Sequence, residues 1–223
     1  KGRYMHLQLT PDQWAKLEDV GDVPRDRHEV MKGDEWMDHC LADERIRYEF
    51  FIKTHWRVIL VGSKGAGMFN HTDSLRTSSW HAHVRGKKWW YLCAPKERGC
   101  MEAVVEPGEV LFYSTGWWHE TQNLLNPTIT VTGTRIDKRN FRAVTKMLHG
   151  ECVRGEVGFK FSSELCDALD TCFESFYSTF TGKPKPAAVF RKWRLETDQD
   201  NLKQKLEASP DTNNYDGRNY ITE

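Results

Sequence analysis

Residues 71–95, HTDSLRTSSWHAHVRGKKWWYLCAP, contain two short runs of strand-forming residues on either side of Gly86. Val, Trp, Tyr and Thr favour strands, and a glycine between two such runs is typical of a turn. The same texture extends from about 56 to 135, with Gly, Pro and Ser between the runs. Several short strands at this spacing predict a mainly β protein, either a sandwich or a barrel-like jelly roll. The candidate strands are 56–61, 68–73, 79–85, 88–93, 109–113 and 127–134.

The composition is that of a folded chain of one domain. Of the 223 residues, 39% are hydrophobic and 29% are charged, which excludes a disordered chain and a membrane protein. Lys and Arg together number 32, as do Asp and Glu, so the net charge is zero. The charge therefore gives no indication of a nucleic-acid or membrane partner. Apolar stretches such as VILVG at 58–62 are far shorter than the ~20 residues of a membrane span.

Helical patterns flank the β-rich segment. Thr10, Pro11 and Gln13 form a capping-box signature, with Pro11 at the first helical position. Further helices are predicted from the spacing of apolar or charged residues over roughly 33–49, 138–150, 162–181 and 187–207, with Gly150 ending the second of these. Residues 208–223 are polar, and we expect them to be loosely ordered.

The chain therefore divides into three predicted regions. Residues 1–55 are an N-terminal helical support, 56–137 the jelly-roll core and 138–223 a C-terminal helical region. The apolar face of 162–181 predicts packing against the core, and it also permits a homodimer through the C-terminal helices.

The cysteines and one sequon bear on the cellular compartment. Six cysteines without a C-x-x-C pair predict reduced, buried thiols rather than disulfides or a zinc site. Asn70 begins a formal glycosylation sequon, but a glycan there would lie beside a candidate metal ligand. We therefore predict an intracellular protein, nuclear or cytoplasmic. Because the chain begins with Lys1, we expect a trimmed sequence whose targeting signal is missing.

His71 and Asp73 are the pair of side chains that could begin a metal site. In a strand, residues i and i+2 point to the same face, so an imidazole nitrogen and a carboxylate oxygen can meet at one point. His119, in the stretch PGEVLFYSTGWWHE, is the best candidate for a third ligand. Two histidines and one carboxylate form the facial triad of non-haem Fe(II) oxygenases, with open positions for cosubstrate and dioxygen. His81 and His83 are competing ligands, but no carboxylate stands beside them.

An H-x-D pair is common by chance, so the assignment of a metal site depends on the residues around it. HTDSLRTSSWHAHVRGKKWWYLCAP resembles a segment of the jumonji C (JmjC) family of 2-oxoglutarate oxygenases: H-x-D, a hydroxyl-rich link, a Trp-containing strand, a G-x-K-x-W turn and an apolar strand ending in Pro. EPGEVLFYSTGWWHETQNL is similar to that family's P-G-[DE]-x-[LV]-[FY]-x-x-x-x-W-W-H stretch with a following Asn. The resemblance implies a double-stranded β-helix, that is a cupin-like jelly-roll barrel, in which the triad holds Fe(II).

The resemblance also implies a binding site for 2-oxoglutarate. Lys88 would meet its distal carboxylate, a role that suits a cationic point charge; an ordinary hairpin lysine is the alternative. A hydroxyl on the last strand commonly joins that lysine, and Thr132 is our choice, with Thr130 and Thr134 as alternatives. His81 stands where relatives often carry Asn. Alternation from Trp80 directs His81 toward the pocket, where it could touch the cosubstrate.

The function implied by the resemblance is that of an Fe(II)- and 2-oxoglutarate-dependent dioxygenase that hydroxylates a protein side chain. The alternatives are an N-methyl demethylase of the same family, a non-catalytic cupin-fold binding module, and a metal-dependent cupin enzyme that uses no 2-oxo acid. A nucleic acid or a small molecule remains open as the substrate, and no membrane partner is expected.

Overall fold

Two antiparallel sheets form the centre of the molecule, in a computed structural model that describes residues 2–19, 29–31, 34–96 and 99–181. The major sheet has the order β1-β2-β8-β3-β6 and the minor sheet the order β5-β4-β7. The strands are β1 (Tyr4–Gln8), β2 (Arg57–Gly62), β3 (Ser78–Arg85), β4 (Lys88–Cys93), β5 (Cys100–Val105), β6 (Val110–Tyr113), β7 (Trp118–Asn123) and β8 (Thr128–Arg135). The α-helices are α1 (Pro11–Asp19), α2 (Glu35–Cys40), α3 (Glu44–Lys53), α4 (Phe141–Arg154) and α5 (Ser163–Thr181), and a short 3₁₀ helix spans Glu29–Met31.

The inner faces of the two sheets meet to form the barrel interior. His81 on β3 and Trp90 on β4 lie with their ring centroids 4.6 Å apart, one from each sheet. Two facing antiparallel sheets with flanking helices confirm the predicted jelly-roll fold.

The β3–β4 hairpin positions one wall of the site. In β4, KWWYLC, burial alternates so that Lys88, Trp90 and Leu92 face inward. The turn needs Gly86, which has a φ of +81°, and a Cβ added there would lie 2.6 Å from the Thr128 hydroxyl oxygen.

The helices cover the other face of the major sheet. Trp80 and Ala82 on β3 and Val131 on β8 point away from the barrel interior, into a large apolar cluster. This cluster includes Trp36, Phe50, Trp56, Phe141, Leu165, Leu169 and Phe173, each buried. Leu165, Leu169 and Phe173 on α5 are buried in this cluster, as predicted for the apolar face of 162–181, and the side chains of 176–181 lie outside those described.

Helix α1 begins as the sequence predicts. The amide of Gln13 donates to the Thr10 hydroxyl at 3.2 Å, and the amide of Thr10 donates to the Gln13 side-chain oxygen at 3.0 Å. These two bonds are a reciprocal capping box, which satisfies two otherwise unpaired donors.

Several predicted boundaries are wrong. Residues 68–73 are not a strand, and the segment pairs with β7 only through an isolated bridge between His71 and His119 and a backbone hydrogen bond from the Thr121 amide to the Met68 carbonyl. The helix predicted over 33–49 is two helices, α2 and α3. Gly150 lies inside α4, which ends at Gly155 in the left-handed conformation, with a φ of +64°. The predicted helix at 187–207 and the polar tail at 208–223 lie outside the described residues.

All six cysteines form disulfide bonds, so the prediction of reduced thiols is wrong. Cys40–Cys172 joins α2 to α5, Cys152–Cys166 joins α4 to α5, and Cys93–Cys100 links the ends of β4 and β5. Cys40–Cys172 joins residues that are 132 positions apart and meet only in the fold, whereas Cys93 and Cys100 are seven positions apart and are register partners in the β4–β5 hairpin. Within the described ranges, no helix has both the length and the apolar character that a membrane span requires.

Candidate metal centre

His71 and His119 lie opposite each other where the segment before β3 pairs with β7. The amide of His71 donates to the carbonyl of His119 at 3.0 Å, and the amide of His119 donates back to the carbonyl of His71 at 2.8 Å. This bridge places the two imidazole rings side by side, with centroids 4.2 Å apart. One ligand atom each from His71, Asp73 and His119 lies within 4.8 Å of the others. The structure thus brings the three predicted side chains together.

Backbone carbonyls set the tautomer of both histidines. His71 Nδ1 lies 2.7 Å from the carbonyl oxygen of Phe69, and His119 Nδ1 lies 3.2 Å from that of Trp117. Because a carbonyl can only accept, each Nδ1 carries the proton and each Nε2 keeps its lone pair. Burial, with a further contribution from His71, lowers the pKa of His119, although Asp73 acts in the opposite direction. Both histidines therefore present Nε2 in the form that a metal ion binds.

The Asp73 carboxylate is oriented by Ser79. The Ser79 hydroxyl donates to Asp73 Oδ2 at 2.5 Å, while Oδ1 lies 3.9 Å from His119 Nε2. One carboxylate oxygen is thus held by β3, and the other faces the histidines. Two imidazole nitrogens and a carboxylate oxygen on one side of a common point are a donor set that fits Fe(II).

Lys88 is a buried cation without a carboxylate partner among the described residues. It is 1% exposed, and its Nζ lies 3.3 Å from the Tyr4 hydroxyl and 5.9 Å from the centroid of the Trp90 ring. Burial lowers the pKa of Lys88 from 10.5 to about 7. A buried ammonium group is costly when unpaired, so this end of the barrel suits an anionic ligand.

Thr132 and His81 line the same interior. The Thr132 hydroxyl donates to the carbonyl of Trp80 at 2.9 Å and lies 3.3 Å from His81 Nε2. His81 is on the face opposite Trp80, as strand alternation predicts, and its Nδ1 is buried without a hydrogen-bond partner. Burial, followed by the charge of Lys88, lowers the pKa of His81 well below its ordinary value.

The alternative threonines make different contacts. Thr130 lies 3.1 Å from His83 Nδ1, and Thr134 donates to the carbonyl of Trp56 at 3.3 Å. Of the three hydroxyls, that of Thr132 is the one in contact with His81.

Three interior residues were missed by sequence reasoning, Tyr4, Ser79 and Tyr113, and Asn123 was noted only as the Asn that follows the W-W-H motif. Tyr4 reaches Lys88 from β1, a strand that the sequence did not reveal. Both polar side-chain atoms of Asn123 are buried without a hydrogen-bond partner. A sequence signal existed for Ser79, because it is two residues from His81 in the same strand and therefore faces the same way.

No family model matches the chain. Among curated proteins, the arginine-specific demethylase JMJ20 of Arabidopsis thaliana is 22% identical over 207 residues, covering 76% of this chain and 45% of the relative. The 2-oxoglutarate and iron-dependent oxygenase JMJD4 of Danio rerio is 25% identical over 150 residues, covering 52% of this chain and 34% of the relative. The chain thus spans less than half the length of either relative.

Solved structures with partial likeness include cupin domains. The Drosophila melanogaster CENP-C cupin domain has a TM-score of 0.33 at 10% identity, covering 35% of this chain and 59% of that chain. Oxalate decarboxylase from Bacillus subtilis has a TM-score of 0.33 at 18% identity, covering 35% of this chain and 20% of that chain.

Proposed function

We propose that the chain is a JmjC-type Fe(II)- and 2-oxoglutarate-dependent dioxygenase, a proposal supported by its similarity to curated proteins with these names. The observation that carries the proposal is the convergence of His71, Asp73 and His119, whose ligand atoms lie within 4.8 Å of one another. These three side chains would hold the iron. When bound, iron and 2-oxoglutarate supply an oxidation of a substrate C–H bond that is coupled to release of succinate and carbon dioxide.

The protein's own residues prepare this centre. The carbonyls of Phe69 and Trp117 keep the two histidines in the metal-binding tautomer, and Ser79 holds the carboxylate in place. Trp90 packs near His119, with ring centroids 6.0 Å apart, and so excludes water from the inner side of the site.

Lys88 is the proposed partner of the distal carboxylate of 2-oxoglutarate. The support is its burial without a counter-charge, since an incoming carboxylate would supply the missing one. We place Thr132 and His81 beside the cosubstrate because both face the interior between Lys88 and the triad. Their contact at 3.3 Å makes them one polar pair on the barrel wall.

We propose hydroxylation of a protein side chain as the reaction. Phe69 is 69% exposed, and its ring centroid lies 5.5 Å from that of His71, so aromatic surface is available beside the centre for a peptide. Demethylation stays a second candidate, because hydroxylation of an N-methyl group gives a product that releases formaldehyde, and one relative is named an arginine-specific demethylase. Nucleic-acid and small-molecule substrates, and a homodimer through the C-terminal helices, stay predictions.

The compartment also stays a prediction. The nuclear or cytoplasmic setting expected from the sequence is opposed by three disulfide bonds, because such bonds persist mainly in oxidising compartments. Counting free thiols after rapid acid quenching of cells would decide between the two settings. Six free thiols would support the nuclear or cytoplasmic prediction, and none would contradict it.

The test of the activity combines iron uptake with 2-oxoglutarate turnover. We expect the wild-type chain to bind one Fe(II) and to form succinate in the presence of a peptide library, with mass spectrometry of the peptides detecting one added oxygen or a lost methyl group. His71→Ala should lose iron. Lys88→Ala should keep iron and lose succinate formation, whereas Lys87→Ala, whose exposed side chain pairs with Glu106 at 2.6 Å, should keep both.

Two outcomes would favour the alternative functions over the proposed one. A wild-type chain that takes up no iron would support the non-catalytic binding module. Iron-dependent turnover that persists in Lys88→Ala would support a cupin enzyme that uses no 2-oxo acid.

A further inference from the structure

Tyr113 is a buried phenol beside the triad. It ends β6, is 4% exposed, and is the register partner of Ser79 on β3. Its ring is stacked on that of His81 at a centroid distance of 5.7 Å and packs 6.0 Å from that of Trp90. The backbone pairing and these ring contacts fix where its hydroxyl lies.

The hydroxyl oxygen of Tyr113 lies among the donor atoms. It is 3.1 Å from His119 Nε2, the nitrogen that faces Asp73, and 3.3 Å from His81 Nε2. By comparison, Asp73 Oδ1 is 3.9 Å from the same His119 nitrogen. The phenol is therefore nearer to the metal-facing atom of His119 than the carboxylate is.

The distance of 3.1 Å is that of a hydrogen bond in the metal-free protein, and it also fits two ligands of one ion. Neighbouring ligands of an octahedral metal ion lie about 3 Å apart when each is about 2.1 Å from the metal. When a metal ion takes the Nε2 lone pair, His119 can no longer accept the phenol hydrogen. The Tyr113 hydroxyl also interacts with the side chains of Asp73 and Ser79, and Ser79 in turn donates to Asp73 Oδ2. The phenol therefore contacts two of the three proposed iron ligands.

We propose that Tyr113 is a fourth protein ligand, whose phenol oxygen binds the iron beside His71, Asp73 and His119. The inference rests on the proposed function, because it needs iron at the triad. A facial triad leaves three of six positions open, whereas four protein donors leave two, the number that a chelating 2-oxo acid occupies. With a chelating 2-oxo acid bound, all six positions would be filled, and the phenol would have to leave the iron before dioxygen could bind.

The test is spectroscopic and needs no substrate. The full chain is loaded anaerobically with Fe(II), its iron content is measured, and one equivalent of ferricyanide then takes one electron from each iron. A phenolate bound to Fe(III), its proton released to the buffer, should give a visible charge-transfer band and tyrosinate modes in the resonance Raman spectrum. Tyr113→Phe should lose both, while Tyr91→Phe, a half-buried tyrosine on the outer face of β4, should retain them.

Metal affinity gives a second readout. Tyr113→Phe keeps the ring packing, and we expect it to bind Mn(II) about tenfold more weakly than the wild type. Wild-type protein with one iron and no tyrosinate signal would overturn the inference while leaving the proposed function intact, as would a signal that persists in Tyr113→Phe. Failure of the wild type to bind iron would overturn both. The wild-type spectrum keeps the inference testable even if the variant does not fold.

Discussion

Replacing Lys88 with methionine should stabilise the metal-free protein while abolishing its binding of 2-oxoglutarate. Lys88 is 1% exposed, and its ammonium group contacts only the Tyr4 hydroxyl and aromatic rings among the described residues. Methionine has a similar length and no charge, so it removes the cost of the buried ammonium and preserves most of the packing.

The expected gain in the free energy of unfolding follows from the pKa of Lys88. Burial lowers the pKa of Lys88 from 10.5 to about 7, which corresponds to a penalty of roughly 5 kcal/mol on the charged form in the folded state. Losing the hydrogen bond to Tyr4 costs about 1 kcal/mol. At pH 6, where Lys88 is protonated in both the folded and unfolded states, we therefore expect Lys88→Met to raise the free energy of unfolding by up to about 4 kcal/mol.

The stability advantage of Lys88→Met over the wild type should shrink as the pH rises. Between pH 7 and 10.5 the unfolded wild type holds more protons than the folded wild type, so wild-type stability rises with pH in this window. Lys88→Met has no such group, and its advantage should narrow to about 1 kcal/mol by pH 9.

Urea denaturation followed by tryptophan fluorescence at pH 6, 7.5 and 9 would measure these free energies in the metal-free protein. Lys87→Met is the matched control, because the neighbouring lysine has a side chain that is 45% exposed and should show a small effect at every pH. Lys88→Met that is less stable than the wild type at pH 6, or whose advantage does not depend on pH, would refute the view of Lys88 as an unpaired buried cation.

Two further predictions concern the cosubstrate and the disulfides. Binding of 2-oxoglutarate to the Mn(II)-loaded protein, measured by calorimetry, should level off about one pH unit below the Lys88 pKa of about 7 and weaken by up to tenfold per pH unit above it, because Lys88 must be protonated to meet the carboxylate. The titratable groups facing Lys88 are Tyr4 and the largely neutral His81 and His83. Lys88→Arg should remove the pH dependence of binding, because arginine stays protonated. An equal pH dependence in Lys88→Arg would contradict the assignment of Lys88 as the group that binds the carboxylate. Reduction of all three disulfides should destabilise the chain, since closing the 132-residue separation of Cys40–Cys172 contributes about 5 kcal/mol in the chain-entropy model. An unchanged urea midpoint with six titratable thiols would show that the pairs contribute nothing to stability.

The strands that the sequence revealed are those with ordinary apolar patterning. In β4, inward Trp90 and Leu92 mark the buried face, and in β8 the β-branched run does the same. Strand β7 was missed because its inward residues, His119, Thr121 and Asn123, are polar. A pattern rule that assigns apolar residues to the inside cannot detect a strand whose inner face is a binding site.

The structure brings the three predicted metal ligands together, but not in the way that the sequence suggested. Alternation along a strand at 68–73 was expected to aim His71 and Asp73 at one point, yet this segment has only one bridge, to His119. Convergence comes instead from that bridge and from Ser79, which holds Asp73. Tyr4 and Tyr113 could not be predicted as neighbours of the site, because each approaches from a strand whose position depends on the sheet order.

The two faces of the major sheet differ in character: one is polar and carries the candidate site, and the other packs against the helices. Among the described residues, Lys88 has no counter-charge and neither His81 Nδ1 nor the polar side-chain atoms of Asn123 have a hydrogen-bond partner, which makes the interior face costly to bury. The apolar cluster between the sheets is small, formed around Trp90, whereas the cluster under the helices is large and is tied by Cys40–Cys172. Most of the apolar burial that stabilises the major sheet therefore lies on the side covered by the helices, while the interior face is left largely polar.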